Sequence, residues 1–377
     1  MEKEKKRFHP GAEERLIFAD SQHTGLMRVQ NSAGSSLASE KTLARNGHSL
    51  SRMTTTKRPV LRVSPRDIDE AQKRLKGLVI RTPLVPLNLE DSQVDIYLKL
   101  ENLQPTGSFK VRGAGNAIEL LSTEQRAKGV YTCSGGNMAQ ALAWHAQRHR
   151  IPCTAIVPDT AAETKLAGIR RYGADIIQVP FEDVWKVATD HVYPPLKDRT
   201  FIHPFSNAHM IAGNGTVGLE ILDDLPDVDS VIVPFGGGGL FAGIAIAMKS
   251  RKPQVNMYAC EPDTACAFAA SLAAGSPKHV ERTPSFLEGT GESDVLPEIW
   301  DLVMPLAAGS LVVSLKEVAS AVRVLFERHR VVAEGSGASS LAAALTGKLG
   351  SGPVVCVMSG GNIDPSTLKM ILDGRVP

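Results

Sequence analysis

Short apolar segments alternate with helical stretches along most of this chain of 377 residues. From Ser64 onward, segments such as "PCTAIVP", "VDSVIVPF" and "GPVVCVM" are short and almost continuously apolar, and stretches of helical pattern separate them. Parallel strands that are buried on both faces have this composition, and the helices between them return the chain to the same edge of a sheet. The alternation therefore predicts an α/β protein. The stretch "SPRDIDEAQKRL" predicts its first helix, because a serine cap precedes a proline in the first turn.

Charge and apolar patterning argue against two classes of partner. Lys and Arg outnumber Asp and Glu by 11 to 6 in residues 1–58, whereas residues 59–377 contain 31 against 34. Aromatic residues make up 5% of the chain and are not interleaved with basic ones, so we expect no nucleic-acid partner. The longest apolar run, "SVIVPFGGGGLFAGIAIAM", is interrupted by a proline and glycines and falls short of the roughly 20 apolar residues of a membrane span. We therefore expect no membrane partner.

Residues 1–58 and the cysteines bear on cellular location. Residues 1–58 mix small, polar and charged residues without a sustained apolar period, which predicts a disordered extension. They contain no apolar core of a signal peptide, and their early glutamates argue against a transit peptide. The five cysteines form no CxxC pair, and an odd number of cysteines without a signal peptide favours reduced thiols in the cytoplasm. The histidines have no metal-ligand spacing, so we expect no metal site.

Four consecutive glycines, Gly236 to Gly239, connect a predicted strand to the helical stretch "LFAGIAIAMKS". Consecutive glycines let backbone amides approach an anion, and the start of the helix adds a favourable partial charge. The loop therefore predicts a phosphate cradle. Leu240 and Phe241 follow it where a Walker site needs Lys and Ser or Thr, which argues against an ATPase. A dinucleotide-binding oxidoreductase stays open, because Gly237, Gly239 and Ala242 fit G-x-G-x-x-A and Glu261 ends a strand about 20 residues later.

Lys110 follows Thr-Gly-Ser-Phe at the predicted first turn of a helix. A cation at this end of a helix is disfavoured by roughly 0.3 to 1 kcal/mol, so an ordinary structural role gains nothing there. Ser-Gly-Gly-Asn occurs twice between a strand and a helix, at residues 134–137 and 359–362. Such loops are candidate site walls, although small residues are also common in ordinary tight turns. Pyridoxal 5'-phosphate requires a lysine for a Schiff base, a phosphate cradle and a partner for its pyridine nitrogen, and the chain offers all three.

The segments "PTGSFKVRGA", "SGGN", "VPFGGGG" and "MSGGN", in this order, resemble the fold-type II pyridoxal-phosphate enzymes. Within these, the chain is most similar to the serine/threonine dehydratase (ammonia-lyase) and serine racemase family, from Ser64 to Leu372. The resemblance implies a two-domain α/β fold of the tryptophan synthase beta type, with parallel-rich twisted sheets flanked by helices. Residues 59–128 and 207–377 would form the large domain and residues 129–206 the small one. The cofactor would lie in the cleft between them, and the protein would be a homodimer.

The resemblance also implies roles for individual residues. Lys110 would hold the cofactor covalently and later act as the general base, while Phe109 would pack near the cofactor ring. The further cofactor-binding residues would be Asn137 at the 3'-oxygen, Gly236, Gly237, Gly238 and Gly239 at the phosphate, Ser359 at the pyridine nitrogen, and Gly289 and Glu334 near the ring. The substrate carboxylate would be held by Ser134, Gly135, Gly136, Asn137 and Met138. Two of these residues have alternatives from the sequence alone, since Glu334 also fits a helix cap and Gly289 an ordinary turn.

The implied reaction is α,β-elimination from L-threonine, L-serine or a related β-hydroxy amino acid, which gives a 2-oxo acid and ammonia. In the family's racemases, a serine at the position of Gly135 serves as a second acid/base. A glycine has no side chain to exchange a proton, so we expect dehydration rather than racemisation. Glu261 fits one ligand of the family's divalent-cation site, but Ala267 stands where the aspartate would be, which leaves Glu261 as a capping or ion-pairing residue. A racemase, a phenylserine or hydroxyaspartate dehydratase, and a silent ligand-binding protein are the alternatives.

Overall fold

The structure is a computed structural model that describes residues 60–89, 95–347, 349–350 and 352–377. The predicted disorder of residues 1–58 lies outside these residues. The strands in chain order are β1 Leu84–Pro86, β2 Ile96–Lys99, β3 Val130–Cys133, β4 Cys153–Pro158, β5 Asp175–Val179, β6 Thr200–Phe201, β7 Ser230–Pro234, β8 Asn256–Pro262, β9 Gly309–Val313 and β10 Val354–Val357. The helices are α1 Pro65–Leu75, α2 Lys110–Glu119, α3 Thr123–Lys128, α4 Asn137–His149, α5 Glu163–Arg170, α6 Phe181–Asp190, α7 Ala208–Asp224, α8 Gly239–Arg251, α9 Ala267–Ala274, α10 Pro297–Val303, α11 Leu315–Val324, α12 Gly335–Leu345 and α13 Pro365–Leu372.

The larger sheet has six strands in the order β1-β2-β10-β7-β8-β9. β1 is antiparallel to β2, and every other neighbouring pair is parallel. Side chains alternate across the sheet, so Val231 and Val233 of β7 contribute to one apolar core while Ile232 contributes to the other. Burial on both faces explains why this strand is continuously apolar in sequence.

The smaller sheet has four parallel strands in the order β5-β4-β3-β6, which all lie between residues 130 and 201. It also has an apolar core on each face. Val130 of β3 packs in the core that contains α4, whereas Tyr131 packs with Val187 and Ala188 of α6. The parallel-rich α/β fold class is confirmed by this arrangement, and the division into a large and a small domain stays a prediction.

The start of the first helix confirms the predicted serine cap. The hydroxyl of Ser64 accepts from the backbone amide of Asp67 at 3.3 Å, and the Asp67 carboxylate accepts from the Ser64 amide at 2.8 Å. This reciprocal capping box fixes the start of α1.

The five cysteines are all free, and each is buried except Cys266, which is partly exposed. Among the described residues, none of the helices combines the length and the apolarity that a membrane crossing requires.

Candidate active site

The order of strands in the larger sheet brings three predicted site segments to one edge. β2, β10 and β7 are neighbours, and all three run in the same direction. The chain after β2 leads to Lys110, the chain after β10 leads to Ser359, and the chain after β7 leads to Gly236. Ligand sites of open parallel sheets form at the carboxyl ends of strands, because the connecting loops meet there. The other Ser-Gly-Gly-Asn loop, residues 134–137, follows β3 of the smaller sheet in the same way.

Backbone hydrogen bonds hold the lysine segment against the loop after β10. The amide of Phe109 donates to the carbonyl oxygen of Ser359 at 3.0 Å, and the amide of Gly361 donates to that of Gly107 at 2.9 Å. Ser108 and Gly360 form an isolated antiparallel bridge between these contacts. Phe109, which precedes the lysine, is therefore tied to Ser359, whose side chain is buried.

Lys110 is the first residue of α2, as predicted. Its Nζ donates to the carbonyl oxygen of Pro204 at 2.5 Å and lies 5.1 Å from the centre of the Phe109 ring. Burial lowers the pKa of Lys110 to about 8, and the carboxylates of Glu292 and Glu334 oppose this shift. Burial disfavours the charged form of an amine, so the neutral fraction of Lys110 near pH 7 is minor but far larger than that of an ordinary lysine.

A buried cluster of charges fixes the helix that carries Lys110. Arg112 is 1% exposed and pairs with Glu101 at 2.8 Å and with Glu220 at 2.7 Å. Lys99 is fully buried and reaches Glu220 at 2.6 Å. The two carboxylates lower the free energy of the Arg112 cation, which raises its pKa despite burial. Two cations and two anions balance here, so directional ion pairs bind α2 to α7 and to Glu101 in the turn after β2.

The side chain of Asn137 contacts two other parts of the site, at Glu334 and Asn362. Its Nδ2 donates to Glu334 Oε1 at 2.8 Å, and its Oδ1 accepts from Asn362 Nδ2 at 2.8 Å. Burial raises the pKa of Glu334 to about 7, although the Asn137 amide opposes this shift. Glu334 precedes α12, but its side chain makes no capping hydrogen bond. Glu334 thus occupies the N-cap position of α12 through its backbone, and the helix-cap alternative holds for this position but not for its carboxylate.

The four glycines form the predicted strand-to-helix loop between β7 and α8. Within the described ranges, none of the backbone amides of Gly236 to Gly239 donates to a carbonyl oxygen. The loop is too crowded for side chains, since a Cβ on Gly237 would lie 2.2 Å from the ring of Phe205. Gly238 also has a φ of +80°, which favours glycine. Unpartnered amides at the start of a helix are a suitable cradle for a phosphate.

Gly289 borders this cradle. Its carbonyl oxygen would lie 2.5 Å from a Cβ on Gly236, so the two segments are in close contact. Its amide donates to the hydroxyl of Ser336 at 2.9 Å, which ties it to the start of α12. Gly289 thus lies between the cradle and the helix that follows Glu334. Its role toward a cofactor stays a prediction.

The predicted substrate loop leads into α4, whose first two residues are Asn137 and Met138. The hydroxyl of Ser134 accepts from the amide of Gly136 at 3.2 Å. A Cβ on Gly136 would meet nothing within 4 Å, so the loop has open space beside it. The side chain of Met138 is 1% exposed and packs in the apolar core to which α4 contributes. Met138 can therefore contribute its backbone to a ligand, whereas its side chain points away from the loop surface.

Glu261 caps a helix. Its carboxylate accepts from the amides of Phe268 at 2.8 Å and Ala269 at 2.8 Å, in the first turn of α9, and from the hydroxyl of Ser310 at 2.6 Å. The residue is 2% exposed. The capping interpretation is confirmed, and a carboxylate enclosed in this way has no surface for the ribose of a dinucleotide.

Four groups near the site were not found from the sequence. Asn362 belongs to the repeated tetrapeptide, and Arg112 lies in the motif that contains Lys110, so both had a local signal. Glu292, whose carboxylate influences Lys110, had only its place after the glycines of "FLEGTGES". Pro204 contributes a backbone carbonyl, which no side chain announces in a sequence.

The fold and these residues define a pyridoxal-phosphate-dependent enzyme. The family model described as pyridoxal-phosphate dependent enzyme matches residues 75–360, and the chain belongs to this family. It depends on pyridoxal phosphate accordingly.

Relatives and solved structures agree with this assignment. The chain is 40% identical over 315 residues to an L-threonine ammonia-lyase of Thermotoga maritima, covering 81% of this chain and 77% of the relative. It is 37% identical over 313 residues to the catabolic L-threonine dehydratase of Escherichia coli, covering 81% and 94%. The structure of maize serine racemase matches with a TM-score of 0.75 and 33% identity, covering 83% of this chain and 97% of that one. The processed threonine deaminase isoform 2 of Solanum lycopersicum matches with a TM-score of 0.73 and 30% identity, covering 83% and 90%.

Proposed function

We propose that the protein is an ammonia-lyase that converts L-threonine, L-serine or a related β-hydroxy amino acid to a 2-oxo acid and ammonia. The observation that carries this proposal is the partly neutral amine of Lys110 beside the loop after β10, on the sheet edge where the amides of the glycine loop also lie without a carbonyl partner among the described residues. The relatives named L-threonine ammonia-lyase and L-threonine dehydratase support the choice of substrate class.

The residues present fit the cofactor. The amides of Gly236 to Gly239 would hold its phosphate, and Lys110 would bind it covalently. Asn137 and the hydroxyl of Ser359 would contact the ring substituent and the ring nitrogen, with Phe109 beside the ring. When bound, pyridoxal phosphate supplies an electron sink for the charge that develops at the substrate Cα.

Lys110 performs the proton transfer in this proposal. A general base works best when its pKa lies near the working pH, and burial brings the pKa of Lys110 to about 8. The substrate carboxylate would lie against the amides that begin α4, because a helix N-terminus favours an anion. The hydroxyl of Ser134 and the amides of Gly135 and Gly136 would orient it, so that the Cα proton faces the lysine.

A racemase is the second candidate, because maize serine racemase is among the similar structures. Position 135 argues against it, since glycine supplies no second acid/base. Phenylserine and hydroxyaspartate are alternative substrates of the same elimination.

We further propose a homodimer in the cytoplasm. Leu103 is 48% exposed and Val332 is 40% exposed, and both line a cavity of about 450 Å³ together with Val331. A second copy of the chain would cover this apolar surface. The five free thiols support a reducing compartment. Light scattering of the native chain and of Leu103→Asp tests the dimer, which the substitution is expected to dissociate.

A substrate panel tests the reaction. The full chain is loaded with pyridoxal phosphate and given L-threonine, L-serine, phenylserine and hydroxyaspartate, and both the 2-oxo acid and the chirality of residual serine are measured. We expect a 2-oxo acid without D-serine. Lys110→Ala should abolish the activity, and the matched exposed variant Lys316→Ala should keep it. A yellow Lys110→Ala protein that borohydride still reduces at another lysine would contradict the assignment of Lys110. Nicotinamide-dependent fluorescence of a colourless protein would favour the oxidoreductase instead.

A further inference from the structure

A buried histidine organises the turn that faces Lys110. His203 is 1% exposed and lies in the turn of residues 203–206, within the connection between β6 and α7. Its Nδ1 accepts from the backbone amides of Phe205 at 3.2 Å and Ser206 at 2.8 Å, and its Nε2 lies 3.1 Å from the carbonyl oxygen of Ala188. An amide only donates and a carbonyl only accepts, so the ring carries its single proton on Nε2. Burial lowers the pKa of His203 to about 3, which keeps this tautomer through the neutral range.

The turn is also held from the opposite side. The hydroxyl of Ser206 donates to Glu298 Oε1 at 2.7 Å, and Glu298 lies on α10. Between these two anchors, the carbonyl oxygen of Pro204 accepts from Lys110 Nζ at 2.5 Å. The ring of Phe205, the next residue, packs against Gly237 of the glycine loop. One turn therefore contacts both the lysine and the phosphate cradle.

We propose that the Pro204 carbonyl is a fixed hydrogen-bond acceptor for the free amine of Lys110, and that His203 is the positioning residue that holds it in place. The inference rests on the proposed role of Lys110 as the base. A neutral amine has two N–H bonds and one lone pair. Donation of one N–H to a fixed acceptor restricts rotation of Nζ, so the lone pair is aimed rather than averaged over directions.

The same contact affects protonation. A carbonyl accepts more strongly from an ammonium than from a neutral amine, so the Pro204 carbonyl favours the charged form and opposes the effect of burial. The other groups that influence Lys110 are Glu292, Cys133 and Glu334. His191 and Glu298 face His203, with the two histidine rings 4.6 Å apart. All of these groups stay unchanged in the histidine variants below.

Two substitutions at His203 separate the two functions of its ring. His203→Asn keeps an acceptor near the Nδ1 position, because an asparagine oxygen accepts from amides two and three residues later in an Asx-turn. It loses the contact with Ala188. His203→Gln has the opposite effect, since its amide reaches the Nε2 position and the turn loses its acceptor. If the turn positions the Pro204 carbonyl, only the glutamine variant should change the protonation midpoint of the Lys110 amine.

The test measures the amine directly in the full chain without cofactor or substrate. Competitive acetylation by acetic anhydride is followed across pH by mass spectrometry, with the exposed Lys316 as internal reference. In His203→Gln we expect the midpoint for Lys110 to move to lower pH by about 0.5 to 1 unit, the size that loss of one hydrogen bond gives. His203→Asn should keep the native midpoint. In the loaded enzyme, His203→Gln should lower kcat about 3- to 10-fold with KM nearly unchanged, because the aimed amine acts in the transition state.

An unchanged midpoint in a folded His203→Gln protein would overturn the proposal, as would equal shifts in both histidine variants. If His203→Gln fails to fold, Ser206→Ala loosens the turn from the α10 side and should shift the midpoint in the same direction by a smaller amount. An unchanged midpoint in Ser206→Ala would then contradict the inference. The acetylation needs no cofactor, so its result is independent of whether Lys110→Ala abolishes the lyase activity.

Discussion

Asn137 and Asn362 hydrogen-bond to each other through their side chains, with 2.8 Å between Asn362 Nδ2 and Asn137 Oδ1. They are the last residues of the two Ser-Gly-Gly-Asn tetrapeptides, one after a strand of the smaller sheet and one after a strand of the larger sheet. Since Asn137 also donates to Glu334, the three side chains form a continuous network. The repeat in the sequence is therefore a pair of loops that contact each other at the site.

Asn362→Asp should disturb this network. The substitution replaces a donor by an acceptor opposite Asn137 Oδ1 and adds a negative charge beside Glu334. The amide of Asn362 also donates to the carbonyl oxygen of Thr106 at 2.8 Å, so two hydrogen bonds are lost. We expect kcat/KM for the amino-acid substrate to fall about 5- to 100-fold, the effect of two hydrogen bonds at about 0.5 to 1.5 kcal/mol each. Steady-state kinetics with Asn88→Asp as the matched control checks this. Equal kinetics in both variants would show that the contact has no functional role.

Much of this fold was accessible from the sequence because parallel strands with two buried faces leave apolar runs. Three strands were not predicted. β1 and β6 have three and two residues, which are too few to show a period. β9 is only partly buried, so it leaves no continuous apolar run in the sequence. Lys110 and the glycine loop were recognisable as contiguous motifs. The contact of Asn137 with Glu334 spans 197 positions, and the Pro204 carbonyl belongs to the backbone, so both depend on tertiary structure.

Glu334→Gln should change how stability depends on pH. The pKa of Glu334 in the folded protein is about 7, above the ordinary value of 4.5, because the side chain is buried. The folded state therefore binds this proton more tightly than the unfolded state, and native stability declines as pH rises from about 4.5 to 7. Glutamine does not titrate, so the free energy of unfolding of the variant minus that of the native protein should increase by about 1 to 3 kcal/mol between pH 5 and 8.

Denaturant unfolding of the ligand-free protein at several pH values measures this difference. Glu124→Gln is the control, because a hydrogen bond from Lys128 lowers the pKa of Glu124 below its ordinary value. Glu124 is therefore ionised in both the folded and the unfolded state from pH 5 to 8, and its variant should show a difference that does not change with pH in this range. A pH-independent difference for Glu334→Gln would contradict the raised pKa.

Arg112→Leu should destabilise the fold strongly. The substitution leaves Glu101 and Glu220 buried with only Lys99 as a cation, and removal of one partner from a buried ion pair costs about 3 to 5 kcal/mol. Arg251→Leu is the matched control, because Arg251 pairs with Asp69 on the surface and such pairs contribute about 0 to 1 kcal/mol. Urea unfolding of both variants gives the comparison. Similar decreases in the free energy of unfolding of the two variants would mean that the buried cluster does not anchor α2.

Gly237→Ala should weaken cofactor binding. A methyl group at this position would lie 2.2 Å from the Phe205 ring, near its attachment point, so the loop or the ring must move. The strain of about 1 to 3 kcal/mol predicts at least about a 5-fold weaker affinity for pyridoxal phosphate in an absorbance titration. Adding Phe205→Ala should restore part of the affinity by making room. Gly350→Ala, where a Cβ meets nothing within 4 Å, should bind as the native protein does.

Gly135→Ser should introduce racemisation. A Cβ at this position would meet Pro158 at 3.3 Å and Ala161 at 3.6 Å, so a serine fits after a small adjustment. Its hydroxyl would supply the second acid/base that glycine lacks, and general acid–base catalysis contributes roughly 100-fold or more when well placed. We expect D-serine formation from L-serine to rise about 10-fold or more above the native level, by chiral chromatography. Gly135→Ala adds the same Cβ without the hydroxyl and should form no additional D-serine. Equal racemisation in the serine and alanine variants would show that the missing hydroxyl is not what separates the two reactions in this protein.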